Sequence, residues 1–341
     1  MKRFLCALLL IALTLSGCTQ IVPAPEQKQY NATFLDLFDT VTTIVGKAES
    51  EAAFQEKAQS VKTGLERYHK LFDIYNEYDG LTNLKTINDS AGFGPVTVDR
   101  AIIDLLLDCK TYYEATGGKV NAAMGAVLQL WHEARTDSID DPANAYLPDQ
   151  ESLAAAAEHT DMNSVIIDQD ASTVFITDPR VRLDVGAIAK GWATQRVAET
   201  APEGLLISVG GNVCATGPKD DAGTPWVVGI QNPSGDNYLH TLYVRKQSVV
   251  TSGDYQRYFV VNGVPYHHII DPVTLQPGAY WRSVTIVCED SGLADALSTA
   301  LFLMPQADGQ AILDQFGAQA MWVDAEGNNF YSPGFAPLIK S

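Results

Sequence analysis

The chain has 341 residues, 46% hydrophobic and 19% charged, with 26 Gly and 16 Pro. That composition excludes the disordered, collagen-like and coiled-coil classes and allows one large domain or two modest ones. Asp and Glu number 41 against 23 Lys and Arg, a formal charge of −18, and no basic stripe offsets it, so nucleic acid is excluded as a partner. A phosphate-bearing small molecule would need a divalent cation, or a few placed Lys and backbone N–H groups, to overcome the same repulsion.

Lys2 and Arg3 precede an apolar run from Phe4 to Leu15. The run is too short to span a bilayer as a mature helix and has the form of an export signal. It ends in Leu15-Ser16-Gly17-Cys18, which resembles the bacterial lipobox. On that reading residues 1–17 are a signal peptide, Cys18 carries the lipid anchor, and residues 18–29 tether a single domain over 30–341. A cleaved signal without lipidation is the alternative. Cys6 leaves with the signal, so Cys109, Cys214 and Cys288 remain, and no C-x-x-C spacing supports a zinc or dithiol site. Cys214 and Cys288 lie in apolar strand-like runs and read as buried thiols.

In chain order, Asp39 to Val45 is β-branched and reads as a strand, and Ser50 to Asp73 carries apolar residues at helical spacing. Asn76 to Gly94 reads as loop, Asp99 to Thr116 as a helix stopped by Gly117-Gly118, and Arg135 to Asp149 as an exposed loop. A hairpin is expected over Ser164 to Ile176, a strand over Arg180 to Val185, and a helix over Ala187 to Thr200 after Gly186. Leu205 to Val209 is a buried strand ending in Gly210-Gly211-Asn212. Strands then follow through Val287, including a hairpin of Tyr258–Val261 and Tyr266–Ile270 across Asn262-Gly263. Gly292 to Met304 is a helix and Ala318 to Val323 the last strand. Helices and strands interleave without a low-complexity break, which predicts one compact α/β unit.

Four constellations can carry chemistry. In Asp184 to Gly191 a strand enters a helix through Gly186; free N–H groups there suit an anion, and Lys190 lies one turn in. Asp295 and Thr299 are four apart on an otherwise apolar helix, an oxygen pair suited to Mg²⁺. His267 and His268 alternate on a strand that ends in Asp271-Pro272, so they face opposite ways, and either could shuttle a proton. Thr251 to Tyr255 is a polar turn. Each has a purely structural reading as well.

Taken together and in order, Asp184 to Gly191, Ser252 to Tyr255, His268 to Pro272 and Ala294 to Thr299 resemble the signature segments of the ApbE family of flavin transferases. Leu206 to Asn212 and Thr116 to Gly125 resemble two further segments. The resemblance implies an α/β (mixed α+β), T-fold-related single domain with a mostly antiparallel sheet. It implies FAD as substrate, Mg²⁺ as cofactor, and an exported flavoprotein as the acceptor of FMN through a Thr or Ser hydroxyl. It assigns the metal to Ala187, Asp295 and Thr299, and flavin contacts to Phe38, Tyr75, Ala123, Met124, Gly125, Asp184, Lys190 and Ile269. His268 is the expected proton-transfer residue. Lipoprotein export, common in the family, implies the extracytoplasmic face of a bacterial membrane. The chain departs from the family pattern at Phe38-Asp39, at Val120-Asn121 and at Met124. An FAD pyrophosphatase and a non-catalytic flavin-binding lipoprotein are the competing readings.

Overall fold

The computed structural model describes residues 27–340, so the expected signal, lipobox and most of the expected tether lie outside the described residues. Ten residues from Lys28 to Leu37 already form a strand, two residues before the expected domain start. It is the edge of an eight-stranded sheet whose order continues Thr40–Ala48, Leu205–Val209, Asn212–Ala215, Ser248–Gly253, Ser283–Cys288, Gln319–Val323 and Asn329–Tyr331. Every neighbouring pair runs antiparallel.

Both faces of the central strands are covered, which is why their sequences are continuous apolar runs. The pleat sends Val250, Val284, Ile286, Ala320 and Trp322 into one core. Their chain neighbours Val249, Val287, Met321 and Val323 enter a second core on the opposite face. That second core is closed by the hairpin Trp226–Gln231 and Tyr238–Val244.

The larger core is covered by helices. These are, in chain order among the described residues, α1 (Glu51–Phe72), α2 (Leu84–Asp89), α3 (Arg100–Ala115), α4 (Gly125–Asp140), α5 (Gln150–Ala157), α6 (Ala189–Thr200), α7 (Ser291–Phe302) and α8 (Gln306–Phe316). Ser50 caps α1 by accepting from Ala53 N–H, and Asp99 caps α3 through Ala101 N–H. Helices α6 and α7 pack against one another, and α7 lies on Ser248–Gly253 and Ser283–Cys288.

Four expectations are corrected. The loop expected from Asn76 to Gly94 contains α2, which Asn83 and Thr86 close with a reciprocal capping box. The loop expected from Arg135 begins inside α4, whose Val127, Trp131 and Ala134 pack on Phe259 and Val261 of the Tyr258–Val261 strand. Arg180 to Val185 is extended but forms only an isolated bridge, Arg182 to Met124, instead of a ladder strand. The expected hairpin across Asn262-Gly263 exists, but its second strand is Val264–His267, so His268 lies just past the strand end.

Candidate active site

The four constellations line one cleft of about 1300 Å³. Asp184 to Lys190, Ser252, Gly253, Tyr255, His268, Ile269, Asp295 and Thr299 all contribute walls, as do Phe38, Tyr75 and Met124. Residues separated by more than a hundred positions in sequence therefore face a common space.

Asp295, on α7, is 3% exposed. Its Oδ2 accepts the Gly191 N–H at 2.8 Å and lies 3.8 Å from the Lys190 ammonium. Burial pushes this carboxyl above its ordinary pKa, and Lys190 acts against that shift. Gly191 makes the approach possible: a Cβ there would strike the Ser291 carbonyl and the Asp295 Cβ across the α6–α7 contact. One turn along α7, the Thr299 hydroxyl is 3.5 Å from Ser252 Oγ, which also meets Ser298 Oγ at 2.8 Å. The Asn212 side chain lines the same cleft beside Asp295, whose carboxyl it helps to hold down.

The strand-to-helix turn differs from the open anion nest expected there. The Gly186 N–H donates to Asp184 Oδ1 at 2.8 Å, the Ile188 and Ala189 N–H groups to Val185 O, and Gly191 to Asp295. Most of the turn's donors are thus spent within the protein, and Lys190, whose Nζ donates to Gly186 O at 3.2 Å, is the cation it presents. Asp184 is held above the usual carboxylate range by burial, which the Gly186 N–H partly offsets.

These donors fit a hard divalent cation only in company. Among the described residues no three His, Cys, Asp or Glu side chains cluster. A carboxylate, a hydroxyl and a turn carbonyl from Ala187 would leave coordination positions for phosphate oxygens, as Mg²⁺ sites on phosphorylated substrates commonly do. The buried, incompletely compensated carboxylate of Asp295 is the feature that calls for such a ligand.

His268 lines the cleft just past the strand end. Its Nδ1 is 3.1 Å from the Arg257 carbonyl, which can only accept, so Nδ1 carries the hydrogen and Nε2 is left as the base. Desolvation by the surrounding walls, followed by the Arg257 and Lys190 charges, holds the ring's pKa below the ordinary imidazole range. His267 is different: both ring nitrogens are engaged, with Gly278 O and the Ile269 N–H, and the ring packs edge-on against Phe302.

At the other end, Phe38 N–H donates to His69 Nδ1 at 3.2 Å and its ring meets His69 edge-on. Tyr75 stacks on His132 of α4 with centroids 5.3 Å apart. Burial, then the Asp184 charge, pushes its phenol up to about 12. Of the expected segment Ala123 to Gly125, Met124 lines the cleft. Ala123 is fully buried, and Gly125 donates its N–H to Arg182 O at 2.9 Å while its missing Cβ admits that backbone.

Sequence reasoning passed over His132, Arg135, Arg257 and the Lys119–Asp271 ion pair at 2.9 Å, all but Asp271 among the lining residues. His132 and Arg135 were hidden because α4 was not foreseen. Arg257 had a signal, since it stands two residues past the polar turn that ends at Tyr255.

Residues 38–322 match the model of the ApbE family. The chain is 36% identical over 277 residues to the FAD:protein FMN transferase of Treponema pallidum (strain Nichols), covering 75% of each. It is 32% identical over 260 residues to an FAD:protein FMN transferase of Klebsiella pneumoniae (strain 342), covering 72% of this chain and 78% of the relative. Its fold matches the crystal structure of the ApbE protein from Thermotoga maritima with a TM-score of 0.80 at 31% identity, over 92% of this chain and 100% of that one.

Proposed function

The chain belongs to the ApbE family, and from that premise we propose that it moves FMN from FAD to a Thr or Ser hydroxyl of an exported acceptor flavoprotein, forming a phosphoester and releasing AMP. The observation that carries the proposal is the convergence of Asp184, Lys190, His268, Asp295 and Thr299 on one cleft of about 1300 Å³, a volume above the usual 300–1,000 Å³ of ligand pockets and suited to a dinucleotide. In that cleft His268 Nε2 takes the proton of the acceptor hydroxyl. The hydroxyl oxygen bonds to the FMN phosphorus, the bond from that phosphorus to the bridging oxygen breaks, and the bridging oxygen leaves on AMP. Lys190 offsets charge on the diphosphate.

Asp295, Thr299 and the Ala187 carbonyl are the residues to hold Mg²⁺, which when bound supplies charge neutralisation at the diphosphate. A downward-shifted His268 is neutral, hence competent as a base, throughout the physiological range; protonation disables it only as pH falls through that lowered value. The proposal extends to the membrane: a diacylated Cys18 anchors the domain on the extracytoplasmic face of a bacterial cell membrane, where exported acceptors pass.

The test is incubation of the full chain with FAD, Mg²⁺ and an exported acceptor bearing a Thr in a D-G-A-T-like motif, followed by in-gel flavin fluorescence and quantitation of FMN and AMP. A fluorescent acceptor band with AMP in equal amount is expected. Free FMN and AMP without the band would make the protein a pyrophosphatase, and unchanged FAD a binding protein.

A further inference from the structure

Resting on the transferase reading, we propose that Arg257 is a positioning residue that ties the two walls of the cleft together, holding the Phe38–Asp39 turn with its guanidinium and the ring of His268 with its backbone carbonyl. The turn is the place where the fold needs such help. Leu37 and Thr40 pair across a two-residue loop, and both loop residues are left-handed, Phe38 at φ 51 and Asp39 at φ 50. Hairpin loops of this kind favour Gly or Asn, and neither is present, so the conformation is uphill on its own.

Arg257 Nη2 donates to the Asp39 carbonyl at 3.0 Å and reaches the Phe38 carbonyl at 3.5 Å. Those bonds span 218 and 219 residues of sequence. The Phe38 N–H is separately held by His69, so the turn is fixed from both sides and the Phe38 ring has a defined direction at the cleft wall. The same Arg257 accepts on its own carbonyl the His268 backbone N–H at 3.2 Å and the His268 Nδ1 at 3.1 Å. One residue thus sets both an aromatic contact and the tautomer of the proton-transfer histidine.

Its charge has a second effect. The charged or titratable groups around the His268 ring are Arg257, Lys190 from the first turn of α6, and His267 beside it in sequence. Removing the Arg257 cation removes one repulsion against the protonated ring. The His268 pKa then rises, and the acid limb of the activity moves to higher pH. A residue that merely braced the fold would leave that limb where it was.

Arg257→Gln and Arg257→Lys in the full chain separate the two roles, with FAD affinity read by quenching of flavin fluorescence and AMP release, with Mg²⁺ and the acceptor present, followed from about pH 3 to about pH 9 so that the lowered His268 limb is sampled. In Arg257→Gln we expect FAD to bind about tenfold more weakly and the acid limb to move up by about one unit. Arg257→Lys keeps the charge without the forked donor, so it should weaken FAD binding while leaving the limb in place. If Arg257→Gln binds FAD within about twofold of wild type and keeps its acid limb, the proposal is wrong. It is equally wrong if both variants lose activity by the same factor at every pH along with melting temperature, because that is the pattern of a structural brace. Wild-type protein that neither binds FAD nor releases AMP would overturn the transferase reading itself, a result distinct from either.

Discussion

Asp295 carries a charge that the described residues only partly balance. A buried carboxylate is costly unless it is neutralised, paired or ligated, and the Lys190 ammonium at 3.8 Å is beyond hydrogen-bond reach. The Gly191 N–H stabilises one oxygen, and the rest of its own helix, α7, is mostly apolar. Asp295→Asn keeps the size and can still accept from Gly191, so it should fold with an unchanged or raised melting temperature. It removes the anionic donor, and AMP release from FAD should fall by about a hundredfold or more in saturating Mg²⁺. A variant that turns over at near wild-type rate would remove Asp295 from the metal site. The pairing with Thr299 was legible in the sequence because i and i+4 share a helix face. Asn212 was not, because only the closed cleft brings it beside Asp295.

At the scale of elements, the contact of α6 with α7 sets the spacing between Lys190 and Asp295. Gly191 lies in that contact, where an added Cβ would meet backbone and a short, fixed side-chain atom. Since neither can swing aside, Gly191→Ala should push the helices apart, cost about 1–3 kcal/mol of stability and lower activity beyond what the stability loss explains. A thermal melt and an AMP-release assay on the same preparation would check this, and an unaltered melt would mean that the helices accommodate the methyl without separating. Elements with their own signals were readable: Ser50 and Asp99 announce the starts of α1 and α3, and Asn262-Gly263 announces a hairpin. Helix α4 was unreadable because its N-cap, Met124, makes no side-chain cap bond and its last turn contains Asp137 and Asp140. It is held instead by tertiary packing, including the Trp131 Nε1–H bond to Leu275 O at 3.0 Å. The Arg180 to Val185 run looked like a strand for the converse reason, since its apolar alternation serves burial against helices and not a ladder.

For the whole molecule, the cleft draws its walls from Leu35 to Thr299. The ordered motifs could be read along the chain, but their meeting depends on a sheet order in which the first strands lie beside strands more than 150 residues later. The acidic surface constrains where such a protein can reside. With a formal charge of −18, the chain is repelled by anionic lipid headgroups rather than adsorbed to them. No described helix is long and apolar enough to cross a membrane. Under the proposed anchoring, acyl chains on Cys18 attach the protein, each buried CH₂ contributing about 0.8 kcal/mol. Cys18→Ala should move the protein from the membrane pellet to the soluble fraction. FMN transfer to a soluble acceptor should stay within about twofold of wild type, because the described cleft walls run from Leu35 onward and the anchor adds only local concentration at the membrane. Fractionation in low and high salt, with the transfer assay run on each fraction, measures both. Cys18→Ala protein that stays in the pellet after a high-salt wash would exclude the lipid anchor as what holds it there.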